Sequence, residues 1–336
     1  MKFFAKFAKT NTALHPESGI GFGCMGITSF YNDVMDEDAA MVLLKTVYEN
    51  GCRHFDTAEL YGAEHKDTKN HNETYLGKFL KTIPRDSYSV ATKFWPLPDG
   101  KYDYETVKAH LKQSLDRLQL EYVDLYFAHR VLTLEGGIEF AKAAARLKEE
   151  GLIKEVGLSE VSGNWLQQIH TKGGPIDAVQ QEWSILTRTL EDELVPVCKA
   201  NSIAIVAYSP LSRNLLVQKQ EALPEGDARA IFPRYQNMEQ NKRFANQVHD
   251  MAEKLNCTPA NVCLSWLMQK AAQKGVSVIP IPGTTKLERA VGNINSVDVV
   301  LSAENMATLD AMANEVAGER YPDEFMQNGM AIETQA

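Results

Sequence analysis

The chain has no excess of positive charge and no long apolar run. Its 336 residues include 35 Lys and Arg against 44 Asp and Glu, which gives a formal net charge of −9. An acidic surface repels nucleic acid and anionic membranes, so nonspecific binding to either is not expected. No apolar stretch approaches the ~20 residues that cross a bilayer. With 44% hydrophobic residues, the composition is typical of a soluble globular protein with a substantial core.

Cysteines are also few, and no two of them form a C-x-x-C pair. The chain has five: Cys24, Cys52, Cys198, Cys257 and Cys263. An odd number of scattered thiols is typical of a reducing compartment, so we expect a cytoplasmic protein with structural cysteines. The first residues lack the apolar core and cleavage site of a signal peptide. We expect an N-terminal hairpin there.

Apolar strand-like runs alternate with helical patterns along most of the chain. In residues 104–118, apolar side chains recur at spacings of three and four, which predicts one buried helical face. Residues 203–208 are apolar throughout, as expected of a strand covered on both faces. We also predict a helix over residues 72–80 capped by Asn72, and another over residues 139–150 ended by Gly151.

Eight strand–helix alternations with short connectors predict a closed (β/α)8 barrel, the TIM barrel of the α/β class. We expect one domain over residues 1–336, with its core at about residues 19–314. A doubly wound open sheet is the alternative. It is disfavoured because no G-x-G-x-x-G sequence opens a helix after the first strand. The glycines within residues 21–26 are interpreted as backbone packing at the barrel mouth.

One connector, residues 210–239, is much longer than the others. It follows the seventh predicted strand and contains Pro224, Gly226 and Pro233. Long connections in compact domains are usually functional lids or mobile segments. We therefore expect a long loop that overhangs the rim of the barrel.

Four polar residues fall at or just past the ends of strand-like runs: Asp56, Tyr61, Lys93 and His129. In a parallel barrel, the carboxyl ends of the strands converge on one rim, where the chemistry takes place. Three strands would therefore bring a carboxylate, a phenol, an ammonium and an imidazole together. Such a set can give a proton to a carbonyl oxygen while holding the carbonyl still. The sequence therefore predicts a reductase of aldehydes or ketones.

Each of the four residues has a predicted task. Tyrosine is a weak acid near neutral pH, because its free pKa is ~10. A nearby cation lowers the pKa of a phenol, and we expect Lys93 to do so for Tyr61. Asp56 would hold Lys93 charged and aimed. His129 would hydrogen-bond the substrate carbonyl and fix its angle toward a hydride.

A metal-binding barrel is the alternative for this part of the chain. His54 and Asp56 lie two residues apart and would share one face of a strand. A hydrolytic zinc site needs several further His or carboxylate ligands at strand ends, and the sequence does not supply them. His65 and His71 lie in a polar stretch that is interpreted as solvated. We therefore expect no metal.

Three motifs around these residues resemble the aldo-keto reductase family. Residues 51–62, GCRHFDTAELYG, are similar to the family's first signature. ATK at residues 91–93 and DLYFAHR at residues 124–130 resemble the segments that carry its catalytic lysine and histidine. The resemblance runs over about residues 19–314. It implies that Tyr61 is the general acid, that Lys93 and Asp56 tune it, and that His129 orients the carbonyl.

The resemblance also implies NADPH bound across the barrel rim without a Rossmann domain. Ser159 and Gln180 match the residues that hold the nicotinamide carboxamide, and Glu160 stands where the family usually has Asn. Tyr208 resembles the aromatic residue that stacks on the nicotinamide ring. The residues implied along the pyrophosphate are Ser209, Leu211 and Asn214.

Residues 281–293 resemble the family's site for the adenosine phosphate. The implied contacts are Gly283, Thr284, Lys286, Arg289 and Asn293. A strand, a turn and a helix N-terminus form an anion site even without the resemblance. Arg289, one turn into that helix, and Lys286 beside it would clamp a 2′-phosphate. The sequence therefore favours NADP over NAD.

The long loop carries FPRY at residues 232–235, which resembles a microbial and plant branch that includes pyridoxal reductases and general aldehyde reductases. We expect residues 64–72 and 94–97 to form the substrate pocket, with Trp95 as an aromatic wall. The expected partner is a small-molecule carbonyl compound, and the expected assembly is a monomer or a weak homo-oligomer. An NADPH-binding sensor subunit of the same fold is the alternative, and the intact set of four polar residues favours an enzyme. Residues 318–336 either fold toward the rim or trail in solvent.

Overall fold

A computed structural model describes residues 19–30, 34–63, 71–97, 102–218, 223 and 225–327. The expected N-terminal hairpin falls on residues 1–18, outside this part of the chain. Eight strands form one sheet. They are β1 (Phe22–Gly23), β2 (His54–Asp56), β3 (Ser89–Phe94), β4 (Val123–Ala128), β5 (Ile153–Ser159), β6 (Ala178–Glu182), β7 (Ala204–Tyr208) and β8 (Val278–Pro280).

The strands are ordered as they occur in the chain, and each is parallel to the next. On the remaining side, the Gly21 amide donates to the Pro280 carbonyl across 2.9 Å, and the Gly23 amide donates to the Pro282 carbonyl across 3.5 Å. These two bonds join the first strand to the last. The predicted (β/α)8 barrel is therefore confirmed, and the open doubly wound sheet is excluded.

Helices follow the strands and cover the outside of the barrel. They are α1 (Glu37–Glu49), α2 (Asn72–Leu80), α3 (Tyr104–Leu118), α4 (Leu134–Glu149), α5 (Gly163–Lys172), α6 (Leu190–Asn201), α7 (Pro233–Gln236), α8 (Met238–Lys254), α9 (Pro259–Lys274), α10 (Leu287–Ile294), α11 (Ala303–Met312) and α12 (Asp323–Gln327). Within the described ranges, no helix combines the length and apolarity needed to cross a membrane. All five cysteines are unpaired, and four of them are buried.

The interior of the barrel is filled by a small apolar cluster, separate from the larger core between strands and helices. Its members are Ala91, Leu125, Phe127, Ala178, Ala204, Val206, Ile279 and Ile281. Residues two apart in a strand point to the same face. Ala91 therefore lies below Lys93, Ala178 below Gln180, and Val206 below Tyr208. The apolar layer fills the barrel, and the next inward-facing positions of β3, β6 and β7 carry the polar side chains of Lys93, Gln180 and Tyr208.

The predicted bounds of the helix over residues 72–80 are confirmed, but its predicted cap and the predicted start of the helix over residues 139–150 are wrong. The N-cap of α2 is His71, whose Nδ1 accepts from the Glu73 amide, and His71 is buried rather than solvated. Asn72 is instead a buried tie between two rim loops, because its Nδ2 donates to the Cys24 carbonyl across 2.9 Å and its Oδ1 accepts from Thr57 across 2.7 Å. Helix α4 begins at Leu134 rather than at residue 139, with Thr133 as its cap. Two glycines in its first turn disguise this start.

The connector after β7 is not the continuous loop that was predicted. Its described residues include 3-10 turns at Ser212–Asn214 and Ala228–Ile231, the short helix α7, and the beginning of α8. Arg213 and Arg234 reach from it to Glu182 at the end of β6. The connector therefore lies at the rim, as expected, with more local structure than expected.

Gly77 allows α2 to lie against the end of α3, and its replacement tests this packing. A Cβ at Gly77 would lie 2.5 Å from the Leu118 carbonyl oxygen, a backbone atom, whereas one at Gly292 in α10 would meet nothing within 4 Å. We expect Gly77→Ala to lower the free energy of unfolding by roughly 1–3 kcal/mol. Gly292→Ala should raise it by about 0.5–1 kcal/mol through helix propensity alone. Urea unfolding of both variants measures the difference, and equal stabilisation by both would contradict the close packing.

Candidate active site

The four polar residues singled out in the sequence meet at the carboxyl end of the barrel. Asp56 is the last residue of β2, Lys93 lies in β3, and His129 directly follows β4, where its amide donates to the Phe94 carbonyl. Tyr61 lies in the turn after β2. All four are buried, and Tyr61 is the most accessible of them at 8%. The strand alternation places Asp56, Lys93 and His129 on one face, and the turn after β2 brings Tyr61 to them.

Lys93 is the centre of the group. Its Nζ lies 2.6 Å from Asp56 Oδ1, 2.6 Å from the Thr57 carbonyl oxygen and 3.5 Å from Tyr61 Oη. A lysine ammonium has three N–H donors, so each has an oxygen to bond. One of those oxygens is the predicted proton donor.

His129 faces Tyr61 from the end of β4, across β3. The two rings are nearly perpendicular, with centroids 5.7 Å apart, and the Trp95 ring meets the imidazole at 5.0 Å. The buried Nδ1 of His129 has no hydrogen-bond partner among the described residues. The imidazole is therefore fixed by aromatic packing and keeps polar capacity for a ligand.

Burial decides the protonation states of the site. Desolvation raises the pKa of Tyr61. Lys93 lowers this pKa, as expected, but by less than burial raises it, so the net shift is upward. For Lys93, burial alone would lower the pKa, but Asp56 and Tyr61 outweigh it and the pKa is raised. Burial, Arg130 and Lys93 hold the pKa of His129 well below its ordinary value. At neutral pH the site therefore holds a protonated phenol, an ammonium and a neutral imidazole.

The residues predicted to hold the nicotinamide carboxamide lie beside this group, at the end of β5 and in the middle of β6. Ser159 is paired in register with Gln180, and its buried Oγ has no hydrogen-bond partner in the described part of the chain. Gln180 has a partner that the sequence did not reveal, because its Nε2 donates to Asp56 Oδ2 across 2.7 Å. The Asp56 carboxylate is thus held by Lys93 on one oxygen and Gln180 on the other.

The turn after β7 carries strained backbone where the pyrophosphate residues were predicted. Ser209, Ser212, Arg213 and Asn214 all have left-handed φ values, between 47° and 76°. Such values at non-glycine residues cost roughly 1–3 kcal/mol each and cluster at functional sites. Leu211 is buried within the same turn. Nothing in the sequence signals this strain.

The residues predicted for the adenosine phosphate lie between β8 and the start of α10. Thr284 Oγ1 accepts from the Lys286 amide across 3.1 Å, and Lys286 is the N-cap residue of α10. Lys286 and Arg289 are exposed, and neither forms a salt bridge with a described residue. Gly283 lies so close to the opposite strand that an added Cβ would be 2.7 Å from the Gly23 carbonyl oxygen. Asn293 is buried in the same helix.

Sequence reasoning missed one buried arginine. Glu160 is fully buried, and both its oxygens bond Arg320, at 3.0 and 2.6 Å. Burial alone would raise the pKa of Glu160, but Arg320 outweighs burial and lowers the pKa to about 2. The two residues lie 160 positions apart, so no local pattern could have paired them. Residues 318–321 thus fold toward the rim.

Comparison with known proteins identifies the barrel. A model of the aldo/keto reductase family matches residues 19–314. A probable aldo-keto reductase from Glycine max is 39% identical over 316 residues, which cover 90% of this chain and 88% of the relative. The chain belongs to the aldo/keto reductase family. As a member it is an NADP-dependent oxidoreductase that acts on carbonyl compounds and alcohols.

Solved structures share the fold of this reductase. An aldo-keto reductase from Bacillus halodurans, in its holo form, is 26% identical with a TM-score of 0.67, covering 89% of this chain and 93% of that one. An aldo-keto reductase from Klebsiella pneumoniae, in complex with NADPH, is 23% identical with a TM-score of 0.68, covering 88% of this chain and 90% of that one. The barrel frame is therefore the same at low sequence identity.

Removal of one member of the buried ion pair tests how the site of this reductase is held. Lys93→Met leaves Asp56 with only Gln180 against its charge, so we expect a loss of roughly 3–5 kcal/mol in the free energy of unfolding. Replacing both residues, as in Lys93→Met/Asp56→Leu, removes the unpaired charge and should recover most of that loss. Urea unfolding at pH 7 measures each variant. A double variant as unstable as Lys93→Met alone would contradict the argument.

Proposed function

We propose that the reductase transfers hydride from NADPH to a small or aromatic aldehyde, with Tyr61 as the proton donor. The observation that carries the proposal is the contact between Lys93 Nζ and Tyr61 Oη at 3.5 Å, in a buried site where Lys93 is also bonded to Asp56. An ammonium beside a phenol stabilises the phenolate that remains once the proton has left. Lys93 thus helps Tyr61 to give its proton to the substrate, while Tyr61 stays protonated before the reaction begins.

Each side chain has a separate task in this proposal. The neutral imidazole of His129 donates a hydrogen bond to the substrate carbonyl oxygen and sets its orientation. NADPH, when bound, supplies the hydride. As negative charge grows on the carbonyl oxygen, the Tyr61 hydroxyl gives up its proton. Lys93 then faces the phenolate, and Asp56 holds Lys93 in place.

The residues present fit the nicotinamide cofactor. Ser159 Oγ is buried without a partner in the described residues, and a carboxamide is a suitable partner for it. We propose that Gln180 contacts the carboxamide with its remaining oxygen and that the Tyr208 ring stacks on the nicotinamide. Ser209, Leu211 and Asn214 would lie along the pyrophosphate. Gly283, Thr284, Lys286, Arg289 and Asn293 would hold the adenosine phosphate.

The substrate class rests on the walls around Tyr61. Trp95 packs edge-on against His129, and an aromatic wall at this place suits a planar aldehyde such as pyridoxal. Residues 64–70, also expected at the pocket, lie outside the described residues. We further propose that the enzyme is cytoplasmic, since its five cysteines are free thiols, and that it is a monomer or a weak homo-oligomer.

A sensor subunit that binds NADPH with little turnover is the second candidate. No feature of the site favours it over the enzyme. Wild-type protein incubated with NADPH and a panel of aldehydes, including pyridoxal, separates the two by absorbance at the reduced nicotinamide band. Tight NADPH binding without oxidation by any carbonyl would favour the sensor.

Tyr61→Phe tests the proton donor directly. The change removes one hydroxyl and keeps the ring against His129, so we expect the protein to fold and to bind NADPH with unchanged affinity. Proton transfer contributes roughly 10²–10⁴-fold to rate, so kcat should fall by about that factor. Stopped-flow or steady-state oxidation of NADPH measures it. Near-normal kcat in this variant would refute the assignment of Tyr61.

Lys286 and Arg289 test the choice of NADP over NAD. The double variant Lys286→Ala/Arg289→Ala should weaken NADPH binding by roughly tenfold to a hundredfold, because charge-assisted hydrogen bonds contribute about 1.5–3 kcal/mol. NADH lacks the 2′-phosphate, so its Kd should change little. Lys274→Ala/Lys254→Ala, which removes the same charge from helices α9 and α8, is the matched control. Equal losses for NADPH and NADH would contradict the phosphate site.

A further inference from the structure

The segment after α11, residues 313–321, crosses the rim and reaches the side of the site where the cofactor is proposed to bind. The family model ends at residue 314, so this segment lies beyond the matched region. It is fixed to α8, because the Ala317 amide donates to Asn241 Oδ1 and Asn241 Nδ2 donates to the Ala317 carbonyl. Arg234 Nε also donates to the Gly318 carbonyl across 3.4 Å. The segment is therefore part of the folded barrel.

Arg320, at the end of this segment, is buried next to Tyr208. Its guanidinium forms the two hydrogen bonds to Glu160, and its Nη1 donates to the Tyr208 oxygen across 3.2 Å. The Tyr208 hydroxyl itself donates to Glu160 Oε1 across 2.6 Å. Tyr321, the next residue, places its own hydroxyl oxygen 3.2 Å from that of Tyr208. The hydroxyl end of Tyr208 thus has three polar contacts.

The charge of Arg320 is matched by the groups that face it. Glu160 is its closest partner, and Glu182 Oε2 lies 3.7 Å away. Arg213 pairs with Glu182 across 2.8 Å, and its guanidinium carbon lies 4.5 Å from the ring centroid of Tyr321. The connector after β7 and the C-terminal segment are thus joined through one buried ionic cluster at the ends of β5, β6 and β7.

We propose that Arg320 is a positioning residue for the nicotinamide: it holds the hydroxyl of Tyr208 directly and through Glu160. This inference rests on the proposed stacking of Tyr208 on the cofactor. A ring that rotates freely loses conformational freedom when a ligand stacks on it, and this loss weakens binding. Arg320 and Glu160 remove that freedom before the cofactor binds. Glu160 thus serves the stacking residue.

A double-mutant cycle in NADPH affinity tests the proposal on the full-length protein. Tyr208→Phe keeps the stacking ring and removes its anchor, so we expect the Kd of NADPH to rise roughly tenfold, or about 1.4 kcal/mol. Arg320→Gln should raise the Kd by a similar factor. In the Tyr208→Phe background, Arg320→Gln should have almost no further effect. At saturating NADPH, kcat should change less than the KM for NADPH.

The matched control is Arg243→Gln. Arg243 pairs with Glu315 of the same segment across 3.0 Å and is exposed, so we expect its removal to leave the Kd unchanged in both backgrounds. Additive effects of Arg320→Gln and Tyr208→Phe would show that Arg320 only supports the fold, and would overturn the proposal. If Arg320→Gln does not fold, wild-type affinity in Tyr208→Phe alone also overturns it. A wild-type protein that fails to bind NADPH would instead refute the proposed function.

Discussion

The site depends on one buried ammonium. Lys93 is fully buried, and an unpaired charge in that position would cost several kcal/mol through lost hydration. The structure offsets this cost with the Asp56 carboxylate and the Thr57 carbonyl, which leaves the third N–H donor for Tyr61. Gln180 in turn bonds the second oxygen of Asp56. Strands β2, β3 and β6 are therefore joined by polar contacts above the apolar layer of the barrel.

Much of this could be predicted from the sequence, because strand geometry is periodic. The alternation of inward and outward positions determines that Lys93 lies above Ala91, and parallel strands bring their carboxyl ends to one rim. The fold and the meeting of the four polar residues follow from these two rules. The cap of α2 and the start of α4 were harder to predict, since His71 is an uncommon cap and glycines disguise the first turn of α4.

Other features depend on distances in space that the sequence does not contain. The pKa of Tyr61 is set by a balance between burial, which raises it, and Lys93, which lowers it. The sequence shows that Lys93 lowers this pKa, but it does not show how strongly burial opposes Lys93. The Gln180–Asp56 bond joins residues 124 positions apart, and the Arg320–Glu160 pair joins residues 160 positions apart. The first pair forms because the barrel brings its strands together, and the second forms because the segment after α11 folds onto the rim, so both could be identified only after the fold was known.

The rim at the ends of β4, β5 and β7 carries local costs that the rest of the barrel must offset. Four non-glycine residues between Ser209 and Asn214 have left-handed backbones, and the buried Ser159 Oγ and His129 Nδ1 have no partner in the described chain. Strain of this kind costs roughly 1–3 kcal/mol per residue, and a buried polar atom without a partner costs a similar amount. Such costs persist only where the surrounding structure holds the residues in place. Here the ionic cluster of Arg213, Arg320 and Glu182 borders the strained turn, so the same contacts that fix Tyr208 also hold the backbone around it.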